Sequence, residues 1–217
     1  MMIPDHISYI CFDFDGVILD TIQLKEDAFV AAYYDIPTAD EILIRDFQRN
    51  KGGGKPRNEK FNYFDTLFLN ATPDETRLEM LSQRLSDCIM SGIKTCPHIP
   101  GFLEFLAKLQ KEDKPLAIAS AMPEDELHRI MDIKGIGESF SFAFGAPRAK
   151  SDQLIDIDRK LRGTGKGLYF GDTMSDHQAA HNAGLEFIGV GTIAPFKENN
   201  IPFIEDFTTM KPSEQKN

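Results

Sequence analysis

The sequence predicts an α/β fold: a doubly wound parallel sheet with an all-helical domain inserted after the first strand. Three observations carry this. A buried apolar strand, Tyr9-Ile10-Cys11-Phe12, opens the chain and runs into acids. Four helical patterns then follow with no strand between them. Beyond Pro100-Gly101, strands alternate with helices of about ten residues, the pattern of a parallel sheet.

The first strand covers residues 8–14. Asp13 and Asp15 are spaced i, i+2, which in an extended chain puts both carboxylates on one face. Gly16 follows and permits a turn that a residue with a Cβ would resist. From Thr21 the period turns helical: Leu24, Ala28, Ala31 and Ala32 share a face with Phe29 and Val30, and Pro37 stops the run. Thr38 or Asp40 caps a second helix through Ile42, Leu43, Ile44 and Phe47. A basic glycine-rich loop, 49–57, precedes a third helix over 56–69, whose apolar side holds Phe61, Phe64, Leu67 and Phe68. Thr72-Pro73-Asp74-Glu75 reads as a helix start with Pro at the first position. The fourth helix carries Leu78, Leu81, Leu85 and Ile89.

These four helices form a bundle over 18–90, and residues 1–17 and 91–217 form the α/β domain. Helices are expected over 102–111, 123–133, 152–161 and 174–183. The strands between and after them are 115–120, 142–144, 167–170 and 186–190. The tail beyond Lys211 is polar and expected to be loose. The phenylalanines at 61, 64 and 68 are read as bundle core, and His177 and His181 as packing or surface residues. His98 is read as part of the hinge.

With 217 residues, 27% charged and 41% hydrophobic, the composition is that of an ordinary globular protein. No apolar run reaches the about 18–20 residues of a membrane span, and the start lacks the pattern of a signal peptide. The three cysteines follow no zinc spacing, and reduced cytoplasmic thiols account for them. A net charge of −10 argues against nucleic acid or an anionic membrane as partner. An anionic substrate would have to be drawn in by local cations or a metal ion.

In open parallel sheets, ligands bind beyond the carboxyl ends of the strands. There the first strand delivers Asp13 and Asp15, and the strand over 115–120 delivers Ser120. The strand over 167–170 delivers Asp172, with Asp176 one turn on. Arg148 and Lys150 follow the strand over 142–144. Crowded carboxylates need cations beside them. Hard oxygen ligands suit Mg²⁺, which keeps waters and coordinates phosphate. A hydroxyl, a Lys and a helix N-terminus suit the phosphate oxygens. Phosphoryl transfer through an aspartyl phosphate is the chemistry implied.

The chain resembles the haloacid dehalogenase superfamily, in the phosphoglycolate phosphatase and β-phosphoglucomutase-like branch with a helical cap after strand one and a Rossmann-like core. That branch opens D-x-D-G-V-x-x-D-[ST], and the sequence reads Asp13-Phe14-Asp15-Gly16-Val17-Ile18-Leu19-Asp20-Thr21. The family's second motif is matched by Ser120 and its third by Lys150, with Arg148 as a rival. The third departs from pattern, since Ser151 stands where Pro is common. Its fourth, G-D-[ST]-x-x-D-x-x-A-A-x-x-A-G, is matched from Gly171-Asp172-Thr173 through Asp176 to Gly184.

The resemblance implies that Asp13 is the nucleophile and Asp15 the general acid and then base. An Asp at position 15 favours phosphate esters over halides and phosphonates. It also implies that Asp13, Asp172 and the Asp15 main-chain carbonyl hold Mg²⁺, with Asp176 bound directly or through water. Ser120, the Ala121 amide and the Gly16 turn would meet the phosphate, and Lys150 would offset charge. The partner implied is a small, anionic phosphorylated metabolite, and the protein is expected to be a monomer or weak homodimer. In the cap, Lys51, Lys55 and Arg57 are candidates for an anionic leaving group. Two alternatives remain: a sugar phosphomutase, whose Arg-x-x-Ser-Leu cap element is not found, and a non-catalytic receiver-like domain.

Overall fold

The computed structural model describes residues 1–161, 165–191 and 194–211. It divides into two compact units, one of Met1–Asp20 with Pro97–Asn217 and one of Thr21–Cys96. The sequence placed the junctions at 17/18 and 90/91. The turn after the first strand extends the first unit: Gly16 N–H donates to the Leu19 carbonyl (2.8 Å) and Asp20 N–H to that of Pro97 (3.0 Å). The polar tail lies outside the described residues. Among those described, no helix is long and apolar enough to cross a membrane.

The first unit is a six-stranded parallel sheet in the order β3-β2-β1-β4-β5-β6. Its strands are β1 (Ile7–Phe12), β2 (Leu116–Pro123), β3 (Phe142–Ala146), β4 (Lys166–Gly171), β5 (Glu186–Val190) and β6 (Phe203–Ile204). Around it lie α5 (Phe102–Gln110), α6 (Glu124–Lys134), α7 (Lys150–Leu161), α8 (Met174–Ala183) and α9 (Ala194–Glu198). β1 is central, so both of its faces are buried. On one face Phe12 stacks on Phe170 (5.3 Å) and meets Phe102 edge-on (5.6 Å). On the other, Tyr9, Cys11 and Tyr169 pack with Leu154, Ile157 and Ala180 of α7 and α8. Ala117 and Ala119 of β2 lie on that same face. The strand order reverses direction between β1 and β4, which is where doubly wound sheets bind ligands.

The second unit holds α1 (Ile22–Ala32), α2 (Glu41–Asn50), α3 (Arg57–Leu69) and α4 (Glu75–Gly92). Asp40, and not Thr38, caps α2, accepting from Ile42 N–H (2.8 Å) and Leu43 N–H (3.1 Å). Pro73 is not the first residue of α4. Asp74 caps that helix by accepting from Arg77 N–H, and a cap must precede the first turn, so Pro73 lies outside. Phe61 and Phe64 are fully buried beside Phe29 and Tyr33.

Two buried acids are paired inside this bundle. Glu26, 1% exposed, takes a forked pair of bonds from Arg49 (2.6 and 2.7 Å). Asp65, also 1% exposed, is held by Arg77. A buried carboxylate needs such a partner. The basic loop is shorter than the sequence suggested, because α2 runs on through Arg49 and Asn50. Arg49 thus serves Glu26. Arg57, at the start of α3, donates to the Ser82 (3.2 Å) and Ser86 (2.8 Å) hydroxyls. Lys55 is 3.9 Å from Glu59, and Lys51 is exposed.

Candidate active site

The site is built at the carboxyl ends of β1 and β4. β1 ends at Phe12, but Asp13 prolongs the pairing by one bond, its N–H donating to the Phe170 carbonyl (2.8 Å). Its side chain is 8% exposed, and Oδ1 accepts from the Phe14 N–H (2.7 Å). The chain then curls, with Ile18 and Leu19 N–H groups both donating to the Phe14 carbonyl. Asp15 lies beyond the end of β1, in an isolated bridge with Leu19. It is half-buried and close enough for its charge to act on Asp13.

Gly16 is required twice over. Its φ is +73°, and a Cβ there would overlap the Asp172 carboxylate. The same closeness recurs one strand over, where a Cβ on Gly171 would overlap the side chain of Asp176.

Asp172 leaves β4, and Thr173 caps α8 in a capping box. Asp176 Oδ2 accepts from the Thr173 N–H (3.1 Å) and hydroxyl (2.6 Å). Its Oδ1 accepts from Lys150 Nζ (2.5 Å), and the Tyr169 hydroxyl lies 3.3 Å away. Lys150 begins α7, two residues earlier than the sequence suggested. Its Nζ also donates to Asp13 Oδ2 (2.8 Å), so one ammonium bridges acids from β1 and α8. Arg148 is directed elsewhere, pairing with Asp156 (2.7 Å) and lying 4.3 Å above the Phe144 ring.

Ser120 is fully buried on β2, and its Oγ accepts from the Met122 N–H (3.1 Å). Ala121 follows it, half-buried, where the pairing of β2 with β3 shifts register between Ala119 and Pro123. Two contributors were missed. Gln153, fully buried, bonds the Ser120 backbone, and Tyr169 joins the Ala119 carbonyl (3.1 Å) to the Asp176 region. The signal for Gln153 was present. It is a polar residue beside Leu154 and Ile157, on the apolar side of its helix.

Burial is the largest influence on the acids. It pushes the Asp13 carboxyl up to about 7, helped by Asp176 and Asp15 and opposed by Lys150. Burial, Asp176 and Asp13 likewise hold Asp172 well above the usual carboxylate range. For Asp176, burial is outweighed by the Lys150 charge and the Thr173 bonds, and its carboxyl sits below the usual range. Burial opposes the Lys150 charge, yet Asp13 and Asp176 keep it above the ordinary lysine value.

One ammonium therefore does not neutralise this crowd. Oxygens of Asp13, Asp172 and Asp176 lie within 4.8 Å of one another. An all-carboxylate set with a deficit of positive charge fits a hard divalent cation.

A family model described as haloacid dehalogenase-like hydrolase matches residues 10–190. Among curated proteins no match was found. Solved structures share the fold, and three of them serve as examples. A haloacid dehalogenase-like family hydrolase from Streptococcus pneumoniae is 20% identical with a TM-score of 0.72, covering 93% of this chain and 94% of its own. A β-phosphoglucomutase from Clostridium difficile is 18% identical with a TM-score of 0.76, covering 94% and 93%. CbbY from Rhodobacter sphaeroides, solved with xylulose-(1,5)bisphosphate, is 16% identical with a TM-score of 0.73, covering 95% and 97%.

Proposed function

For a chain that belongs to the haloacid dehalogenase-like hydrolase family, we propose a Mg²⁺-dependent phosphomonoesterase working through a phosphorylated Asp13. The substrate is a small phosphorylated metabolite, the class to which the ligand of the Rhodobacter neighbour belongs. The observation that carries the reading is the Lys150 ammonium bound to both Asp13 and Asp176 beside Asp172.

Asp13, Asp172 and Asp176, with the Asp15 main-chain carbonyl, would hold Mg²⁺, which when bound supplies positive charge against the carboxylates and the phosphate. An Asp13 carboxylate oxygen attacks phosphorus as the ester P–O bond breaks. Asp15 gives its proton to the leaving oxygen. It then takes a proton from water, which attacks the same phosphorus, frees Asp13 and releases inorganic phosphate. Ser120 already accepts from Met122 N–H, so its own proton is left to donate to a phosphate oxygen. Lys150 opposes protonation of Asp13 and faces the incoming negative charge.

The test is phosphate release from p-nitrophenyl phosphate and a panel of phosphorylated metabolites, with Mg²⁺ and with EDTA. Turnover with Mg²⁺ and none with EDTA is expected. No turnover of any ester in Mg²⁺ would refute the reading.

A second expectation concerns pH. The Asp13 carboxyl moves from an ordinary 3.8 up to about 7 on folding. A raised acid lends stability that is complete below its unfolded value and is lost as pH rises through its folded value. Without metal, Asp13 and Asp172 should thus cost stability as pH climbs toward neutrality. A cation that takes the proton's place removes this cost. The gain in melting temperature on adding Mg²⁺ should be larger at about pH 8 than at about pH 5. An equal or smaller gain at the higher pH would contradict it.

A further inference from the structure

Gln153 occupies a place that a β-ladder leaves vacant. β2 pairs with β1 as far as Ile118 and with β3 as far as Ala119, and the β3 pairing then shifts register to resume at Pro123. Ser120 falls in the gap and is fully buried, so its backbone groups have no water to turn to. The Gln153 carboxamide supplies both partners. Its Oε1 accepts from the Ser120 N–H (3.0 Å), and its Nε2 donates to the Ser120 carbonyl (3.0 Å). The side chain thus pairs with Ser120 as a neighbouring strand's peptide would. The second Nε2 hydrogen goes to the Arg148 carbonyl (2.9 Å), two residues before Lys150.

One planar amide therefore ties the end of β2 to the segment that delivers the lysine. Gln153 is also on the first turn of α7, which begins at Lys150. We infer that Gln153 is a positioning residue. It holds Ser120 and Lys150 at a fixed separation, so that hydroxyl and ammonium meet the same phosphoryl group. This inference rests on the proposed phosphatase reading. A misplacement of about 1 Å in such a pair costs on the order of 10²-fold in rate.

The test is a double-substitution cycle on the full chain, with p-nitrophenyl phosphate and Mg²⁺ as probe. Wild-type turnover is measured first. Its absence would remove the functional reading itself, and with it the inference. Given turnover, Gln153→Met keeps the side chain's length and removes all three bonds. It should lower kcat/KM by about 10- to 100-fold at a temperature where melting curves show the variant folded.

In a Ser120→Ala background the same substitution should cost at least about threefold less, because part of what it positions is gone. Equal losses in the two backgrounds would mean a general structural effect and overturn the inference. No loss in either would overturn it too. If Gln153→Met does not fold, Gln153→Asn takes its place in the cycle. It carries the amide on a shorter stem, and the same outcomes decide.

Discussion

Asp13→Asn is expected to lower kcat toward phosphate esters by about 10⁴-fold or more, the scale seen when a nucleophile is removed. The amide oxygen is a poor nucleophile and cannot carry the phosphoryl group to a hydrolysable state. The fold should survive. Asn keeps one acceptor for the Phe14 N–H or for Lys150 Nζ, where Asp13 serves both. Burial and the neighbouring acids already oppose the Asp13 charge, pushing its carboxyl up to about 7. A neutral residue removes that strain once pH passes this value. In EDTA at about pH 8, Asp13→Asn protein should melt no lower than wild type. Stopped-flow phosphate release and calorimetry together decide the matter. A variant that turns over within tenfold of the native rate would leave the covalent route without its central group.

Lys150→Met should differ from Asp13→Asn in stability, losing that as well as activity. The lysine side chain is 11% exposed, and the Asp176 it meets is fully buried. Removing one partner of a buried ion pair leaves a charge without compensation, at a cost of about 3–5 kcal/mol. Here two carboxylates lose the same partner. Losing a positioned cation from a phosphoryl-transfer site lowers kcat by about 10²–10³-fold. The stability deficit should be largest in EDTA and shrink when Mg²⁺ is added, since both cations offset the same acids. Urea unfolding in the two conditions measures it. A deficit below about 1 kcal/mol in EDTA would mean that Lys150 does not carry the electrostatic burden assigned to it.

Much of this site was legible because the informative residues carry local signals. Thr173 and Gly184 mark the ends of α8 by a side-chain cap and a left-handed turn (φ +74°), and that helix lies where the sequence placed it. Asp172 and Asp176 are fixed to either side of that cap, so their relation follows from helix geometry. Asp13 is likewise set by an apolar strand that stops. What was not legible depends on partners distant in sequence. That β2 continues past Ser120 to Pro123 reflects pairing with Ala146 of β3. β6 is two residues long, too short for any alternation to register. The choice of Lys150 over Arg148 is made by Asp156 and the Phe144 ring, which draw the arginine aside. Gln153 stands out in the sequence as a polar residue on an apolar helix face, but its partners, three backbone groups on two other segments, do not.

The sheet order has a kinetic side. Ile10 of β1 pairs with Leu116 of β2 and with Leu168 of β4. The strand that becomes the middle of the sheet thus leaves the ribosome long before either neighbour exists. It must wait as an apolar, unpaired segment while the helical unit and the start of the second half are made. Loop-closure entropy makes such distant pairings slow to form. An apolar strand left unpaired is open to clumping with other nascent chains.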